Sequence, residues 1–190
     1  MRLCFVRHGE TDWNVQGRLQ GQKDIGLNGR GRSQAESVGH ILRRDGSWNG
    51  ADFVSSPLIR TRHTMELMRT SMGLPADDYQ VEPRLAELTF GDWEGLTWPE
   101  VRASDKEGAT GRECDKWGFV PPNGESYAML QERLQPWLDT LDADTVVVSH
   151  GGVARVLLAV LAQVDRTLAP LRDIQQGRAL IFSNSAYRWL

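Results

Sequence analysis

Two histidines in this chain each stand at the end of an apolar run and at the start of a glycine turn. His8 follows Leu3–Val6 in the run Arg7-His8-Gly9-Glu10, and His150 follows Thr145–Val148 in Ser149-His150-Gly151-Gly152. A third run, Ala51–Ser55, leads through Ser56-Pro57 to Arg60 and Arg62. A neutral imidazole is a competent nucleophile near neutral pH, because its ordinary pKa is about 6.5. Arginine offers a planar fork of donors that matches phosphate oxygens and never loses its charge. A helix N-terminus behind Gly151-Gly152 adds backbone N–H donors and partial positive charge. Such a set suits a bound dianion. Phosphoryl transfer also spreads charge over three equatorial oxygens, which Arg7, Arg60 and His150 can stabilise. Cations around His8 keep it unprotonated. Glu87, in a further segment able to reach the same edge, can donate a proton to a leaving oxygen.

Each of these residues also has a plainer reading: a satisfied core histidine, a surface charge on a helix, an exposed acid. Their joint occurrence at strand exits separates the two readings. The chemical alternative is a metal site built from His8, His150 and Glu87, but neighbouring arginines repel a cation. The expectation is therefore no metal and no cofactor. His40 and His63 fall in helices and read as structural or surface residues. Ser56-Pro57 reads as a helix start, and Trp48, Trp98, Trp137 and Trp189 as packing residues.

The elements that must position these groups alternate along the chain. Leu3–Val6, Ala51–Ser55 and Thr145–Val148 are short apolar runs that suit strands buried on both faces. Helical spacing marks about 32–44, with Ala35, Val38, Ile41 and Leu42 on one face. Helices are also expected from Ser56-Pro57 through Met72, over about 126–141, and over about 153–164. Thr11 to Asn28 reads as a polar loop. Gln80-Val81-Glu82 is a short extended piece, and 178–183 and 186–190 are closing strands. This alternation predicts a three-layer α/β/α sandwich with a largely parallel central sheet, in which ligands bind beyond the C-terminal strand ends. Residues 97–125 are the least regular stretch, read as a short helix and then a long excursion that covers the pocket as a lid or insertion. The 190 residues fit a single domain.

Composition narrows the class. The chain is 40% hydrophobic and 25% charged, with a net charge of −3. No global basic field draws it to nucleic acid or to an anionic membrane. No apolar stretch approaches the roughly 18 residues a spanning helix needs. The first ten residues lack the apolar core of a signal peptide. Cys4 and Cys114 read as free thiols of a reducing compartment. A cytoplasmic protein, monomer or homodimer, acting on a small phosphate ester is expected.

RHGETDWN at 7–14 resembles the signature of the histidine phosphatase superfamily, also called phosphoglycerate mutase-like. The resemblance continues in order. GRLQG (17–21) and DIGLNGRGRSQA (24–35) are similar to the family's loop and first helix, and SSPLIRTRHT (55–64) to its second arginine motif. ELTFGDWEG (87–95) resembles the acidic motif of the phosphatase branch. PPNGES (121–126) and VVVSHGGVARVLL (146–158) complete the set. The resemblance implies a phosphohistidine mechanism without metal or cofactor. It makes His8 the nucleophile and gives the phosphoryl group to Arg7, Arg60 and His150. Asn14 becomes a further phosphate contact. Glu87 becomes the proton donor and later the base that activates water. Gln20, Gly21 and Gly151 become substrate contacts, while Trp13 packs. The mutases of the family look longer and carry a Glu-Arg-His-Tyr type sequence where this chain has Glu87-Leu88-Thr89-Phe90. The implied activity is a phosphomonoesterase. The alternatives are a phosphoglycerate mutase and, in another class, a non-catalytic module that holds a phosphorylated ligand.

Overall fold

Strand β1 (Leu3–Arg7) sends alternate side chains to opposite faces of the sheet. Leu3 and Phe5 join one core with Val147, Leu157, Leu158, Leu130 and Leu134. Cys4 and Val6 join another with Val38, Leu42, Met65, Met68 and Val146. One strand thus feeds two cores, and each core needs its own helical cover. The computed structural model of residues 1–190 supplies it in the order β1, α1 (Asp12–Val15), α2 (Gly29–Asp45), β2 (Asp52–Ser55), α3 (Ile59–Met72) and β3 (Gln80–Val81). Then come α4 (Trp98–Ser104), α5 (Lys106–Cys114), α6 (Tyr127–Leu138), β4 (Thr145–Ser149), α7 (Gly151–Leu161), β5 (Ala179–Ser183) and β6 (Ala186–Trp189). Helices α2 and α3 cover one face, α6 and α7 the other. This is the expected three-layer α/β/α sandwich.

The six strands run in the order β3-β2-β4-β1-β5-β6. β3, β2, β4 and β1 are parallel, β5 pairs antiparallel with β1, and β6 pairs antiparallel with β5. The register matters for function. Arg7 pairs with Ser149, and Ser55 pairs with Val148. The C-terminal ends of the three central strands are therefore level, so His8, Ser56 and His150 leave the sheet at one edge.

Several boundaries differ from expectation for identifiable reasons. α3 begins at Ile59 rather than at Ser56-Pro57, with Leu58 extended at its N-terminus (φ −70°, ψ 142°). A residue before proline is pushed out of the helical region, so Ser56 stays outside the helix. The stretch 11–28 contains a helical turn, α1, closed by a reciprocal cap between Thr11 and Asn14. Residues 97–125 are more regular than their glycines suggest. Thr97 and Glu100 form a capping box for α4, and Asp105 ends α4 while its carboxylate caps α5 at Gly108. Two local caps there outweigh the poor helix propensity of Gly108 and Gly111. These helices form a third small core of Leu19, Trp93, Val101 and Ala109, with Trp93 stacked on Phe119 at 5.6 Å. No helix is long and apolar enough to cross a membrane.

Candidate active site

A cleft of about 470 Å³ opens beyond the C-terminal ends of β1, β4 and β2. Arg7, His8, Asn14, Gln20, Gly21, Arg60, Glu87 and Gly151 all line it. His150 lies just beneath, fully buried, with its ring centroid 5.3 Å from that of His8. The sequence-predicted residues thus converge from five segments of chain.

His8 is held from three sides. Its backbone N–H donates to Ser149 O at 2.9 Å, and its own carbonyl accepts from Gln176 Nε2 at 3.0 Å. Its Nδ1 lies 2.7 Å from Gly9 O. A carbonyl only accepts, so Nδ1 carries the proton and Nε2 keeps its lone pair. Burial, then Arg60 and Arg7, hold the His8 imidazole well below its ordinary 6.5. Gly9 permits this placement, because a side chain there would overlap the backbone of Gly31 at the start of α2.

The cations are fixed by backbone carbonyls rather than by carboxylates. Arg60, with no exposed surface, donates from Nη1 to Lys23 O and from Nη2 to Gly21 O, both at 2.7 Å. Burial pushes its guanidinium down to about 10, which leaves it charged at neutral pH. Arg7 donates to Ile174 O at 2.8 Å. The Nε atoms of both arginines are buried without a partner in the protein. A buried donor left unpaired costs roughly 1–3 kcal/mol, so each is a site that an anionic ligand can satisfy. Asn14 is oriented in the same sense. Its Oδ1 accepts from Thr11 N and Gln176 Nε2, both at 3.1 Å, which leaves its amide N–H groups for a ligand. Gln20 Oε1 accepts from Thr11 Oγ1 at 3.0 Å.

Glu87 sits at the start of α7 without belonging to it. Its Oε2 accepts from Gly152 N at 3.1 Å and its Oε1 from Leu88 N at 3.0 Å. A side chain at Gly152 would overlap Glu87 Oε1, so the glycine is what lets the carboxyl approach. His8, His150 and Glu87 do not form a group that could hold a metal ion.

Three features were not read from the sequence. Arg133 on α6 forks onto Glu125 (Nε to Oε1 2.9 Å, Nη2 to Oε2 2.8 Å) and also donates to the carbonyls of Arg84, Ala86 and Glu87. It clamps the segment that carries Glu87. Ser149 Oγ adds a bond to Leu85 O at 2.7 Å. An arginine in an amphipathic helix gives no sign of such a role, because its partners are main-chain atoms distant in sequence. Trp98 was expected to pack; it lines the cleft and carries the Arg112 guanidinium over its ring at 4.6 Å. Ser56, read as a helix start, hydrogen-bonds His150 Nε2 at 2.7 Å. Trp48 and Trp137 are buried as expected.

The site and fold match one family throughout. The chain belongs to the histidine phosphatase superfamily (branch 1), whose model matches residues 3–189. It is 34% identical to the adenosylcobalamin/alpha-ribazole phosphatase of Salmonella typhimurium over 93% of this chain and 87% of that one. It is 30% identical to a 2,3-bisphosphoglycerate-dependent phosphoglycerate mutase of Beijerinckia indica, over 95% and 90% respectively. The crystal structure of the alpha-ribazole phosphatase from Shigella flexneri superposes with a TM-score of 0.83 at 29% identity, covering 98% of this chain and 93% of the other. The protein is accordingly a phosphatase of this family, with the mutases as related members.

Proposed function

We propose that this protein hydrolyses small phosphomonoesters through a phosphohistidine at His8, without metal or cofactor. One observation carries the reading: the His8 ring commits Nδ1 to Gly9 O and turns a neutral Nε2 into a cleft lined by Arg7, Arg60 and Glu87. In the first step the Nε2 lone pair forms a bond to phosphorus while the bond from phosphorus to the ester oxygen breaks. Glu87 transfers its proton to that oxygen, and the alcohol leaves. Arg7, Arg60, Asn14 and His150 hold the equatorial oxygens. In the second step Glu87, now a carboxylate, takes a proton from water, which attacks phosphorus and releases His8 and inorganic phosphate.

The outer cleft favours polar anionic esters. Arg18, Arg102, Arg112, Lys116 and Arg155 line it, against a single further carboxylate, Glu113. Arg102, Arg112, Glu113 and Lys116 of that wall come from residues 97–125, which makes this stretch the specificity-bearing cover of a single domain. Two free cysteines, one buried and one exposed, accord with a reducing cytoplasmic setting.

A panel of phosphate monoesters, assayed with EDTA present, tests the reading. Free phosphate released from several esters is the expected result. Interconversion of 3- and 2-phosphoglycerate primed by bisphosphoglycerate, with little phosphate release, would make the chain a mutase. Binding without any turnover would make it a phospholigand-binding module.

A further inference from the structure

His150 has two ring nitrogens in unlike surroundings. Its Nε2 lies 2.7 Å from Ser56 Oγ, and its Nδ1 is buried with no partner in the protein. Both residues have no exposed surface, so water does not decide the direction of this bond. The hydrogen-bond bookkeeping of Ser56 decides it. Its hydroxyl accepts a long 3.5 Å contact from Leu58 N, and His150 Nε2 is the one acceptor within reach of its proton. If Nε2 carried a proton, two donors would point at each other, or the buried hydroxyl proton would be stranded. The other hydroxyl nearby, Ser55 Oγ, is already spent on Ser56 O at 3.0 Å.

We propose that Ser56 is a positioning residue that fixes the tautomer of His150: its hydroxyl donates to Nε2, which places the single ring proton on Nδ1, where it is the donor for a phosphoryl oxygen on His8. The inference rests on the phosphatase reading for its functional half. Burial, Arg60, His8 and Arg7 hold the His150 imidazole well below its ordinary 6.5, so the ring has one proton to place rather than two. Placed on Nδ1, that proton meets the group arriving beside Gly151. Placed on Nε2, it would present a lone pair to an incoming anion. Neither Ser56 nor His150 lines the cleft surface, but the His150 ring stands 5.3 Å from that of His8, so Ser56 acts through His150 rather than on substrate.

The test is a long-range proton–nitrogen correlation spectrum of protein labelled with nitrogen-15 at histidine, recorded at neutral pH with and without inorganic phosphate. Wild type should show His150 wholly as the Nδ1–H tautomer, with that proton shifting on phosphate addition. Ser56→Ala should populate the Nε2–H tautomer and lose about tenfold in kcat/KM, the worth of one net hydrogen bond of ~1.4 kcal/mol. Ser56→Thr, which keeps the hydroxyl, should restore both readouts. An Nε2–H tautomer in wild type that binds phosphate normally would overturn the proposal while leaving the phosphatase reading intact. An unchanged tautomer in Ser56→Ala would overturn it too. A protein that neither binds phosphate nor turns over would instead sink the phosphatase reading, since the wild-type tautomer is read without turnover.

Discussion

Gly152→Ala separates the proton-donor role of Glu87 from general damage to the site. In the native protein Gly152 N donates to Glu87 Oε2 at 3.1 Å, and a Cβ at this position would collide with Glu87 Oε1 and Leu88 Cδ2. Ordinary carbon contacts are about 3.5–4 Å, so the carboxyl must retreat by on the order of 1 Å. A misplacement of that size costs about a hundredfold in a step that depends on the displaced group. The loss should fall on protonation of the leaving group. kcat/KM reports the steps up to transfer onto His8, so it isolates this half-reaction. An alkyl phosphate, whose alkoxide needs the proton, should lose about a hundredfold, whereas p-nitrophenyl phosphate should lose less than about tenfold. Overpacking against Leu88 should cost about 1–3 kcal/mol, or several degrees in Tm, which leaves the protein folded at 25 °C. Equal losses for both esters at preserved Tm would refute the acid assignment, as would a fully active variant.

Two further outcomes follow from the same geometry. Both site histidines are held below their ordinary value in the folded state, so below about pH 6.5 the unfolded chain binds protons that the native site refuses. Their contribution to stability is complete above that pH and is lost as pH falls, with a slope approaching about 2.7 kcal/mol per pH unit for two groups at ~1.36 each. Urea unfolding at pH 7 and 5.5 should show it, and His150→Asn should roughly halve the slope; stability that is flat over that range would contradict the neutral assignment. Arg133→Lys keeps the charge but not the fork, and should destabilise the protein by about 1–3 kcal/mol while slowing poor leaving groups more than good ones. An unchanged leaving-group dependence would show that the clamp is structural only.

The sequence exposed the parts of the site that coincide with the ends of apolar runs. Leu3–Val6 and Thr145–Val148 are legible as buried strands because nothing polar interrupts them, and parallel pairing then brings His8 and His150 to one edge. Glu87 was harder, because its position depends on Gly152 and on carbonyl bonds from Arg133 that carry no local signature. The short helix expected at the start of 97–125 is α4, whereas α5 falls where an irregular excursion is expected, because Gly108 and Gly111 mask the capping residue Asp105. Pro57 makes Ser56 read as a helix start, whereas its hydrogen-bond partner, His150, lies 94 residues away.

The central claim is the covalent step at His8. A quenched-flow experiment with a phosphorus-32-labelled ester, followed by alkaline peptide mapping, tests it most directly. The account predicts label on the peptide carrying His8, stable to base, labile to acid, and absent in His8→Ala. Label that survives acid, or lies on another residue, would contradict it.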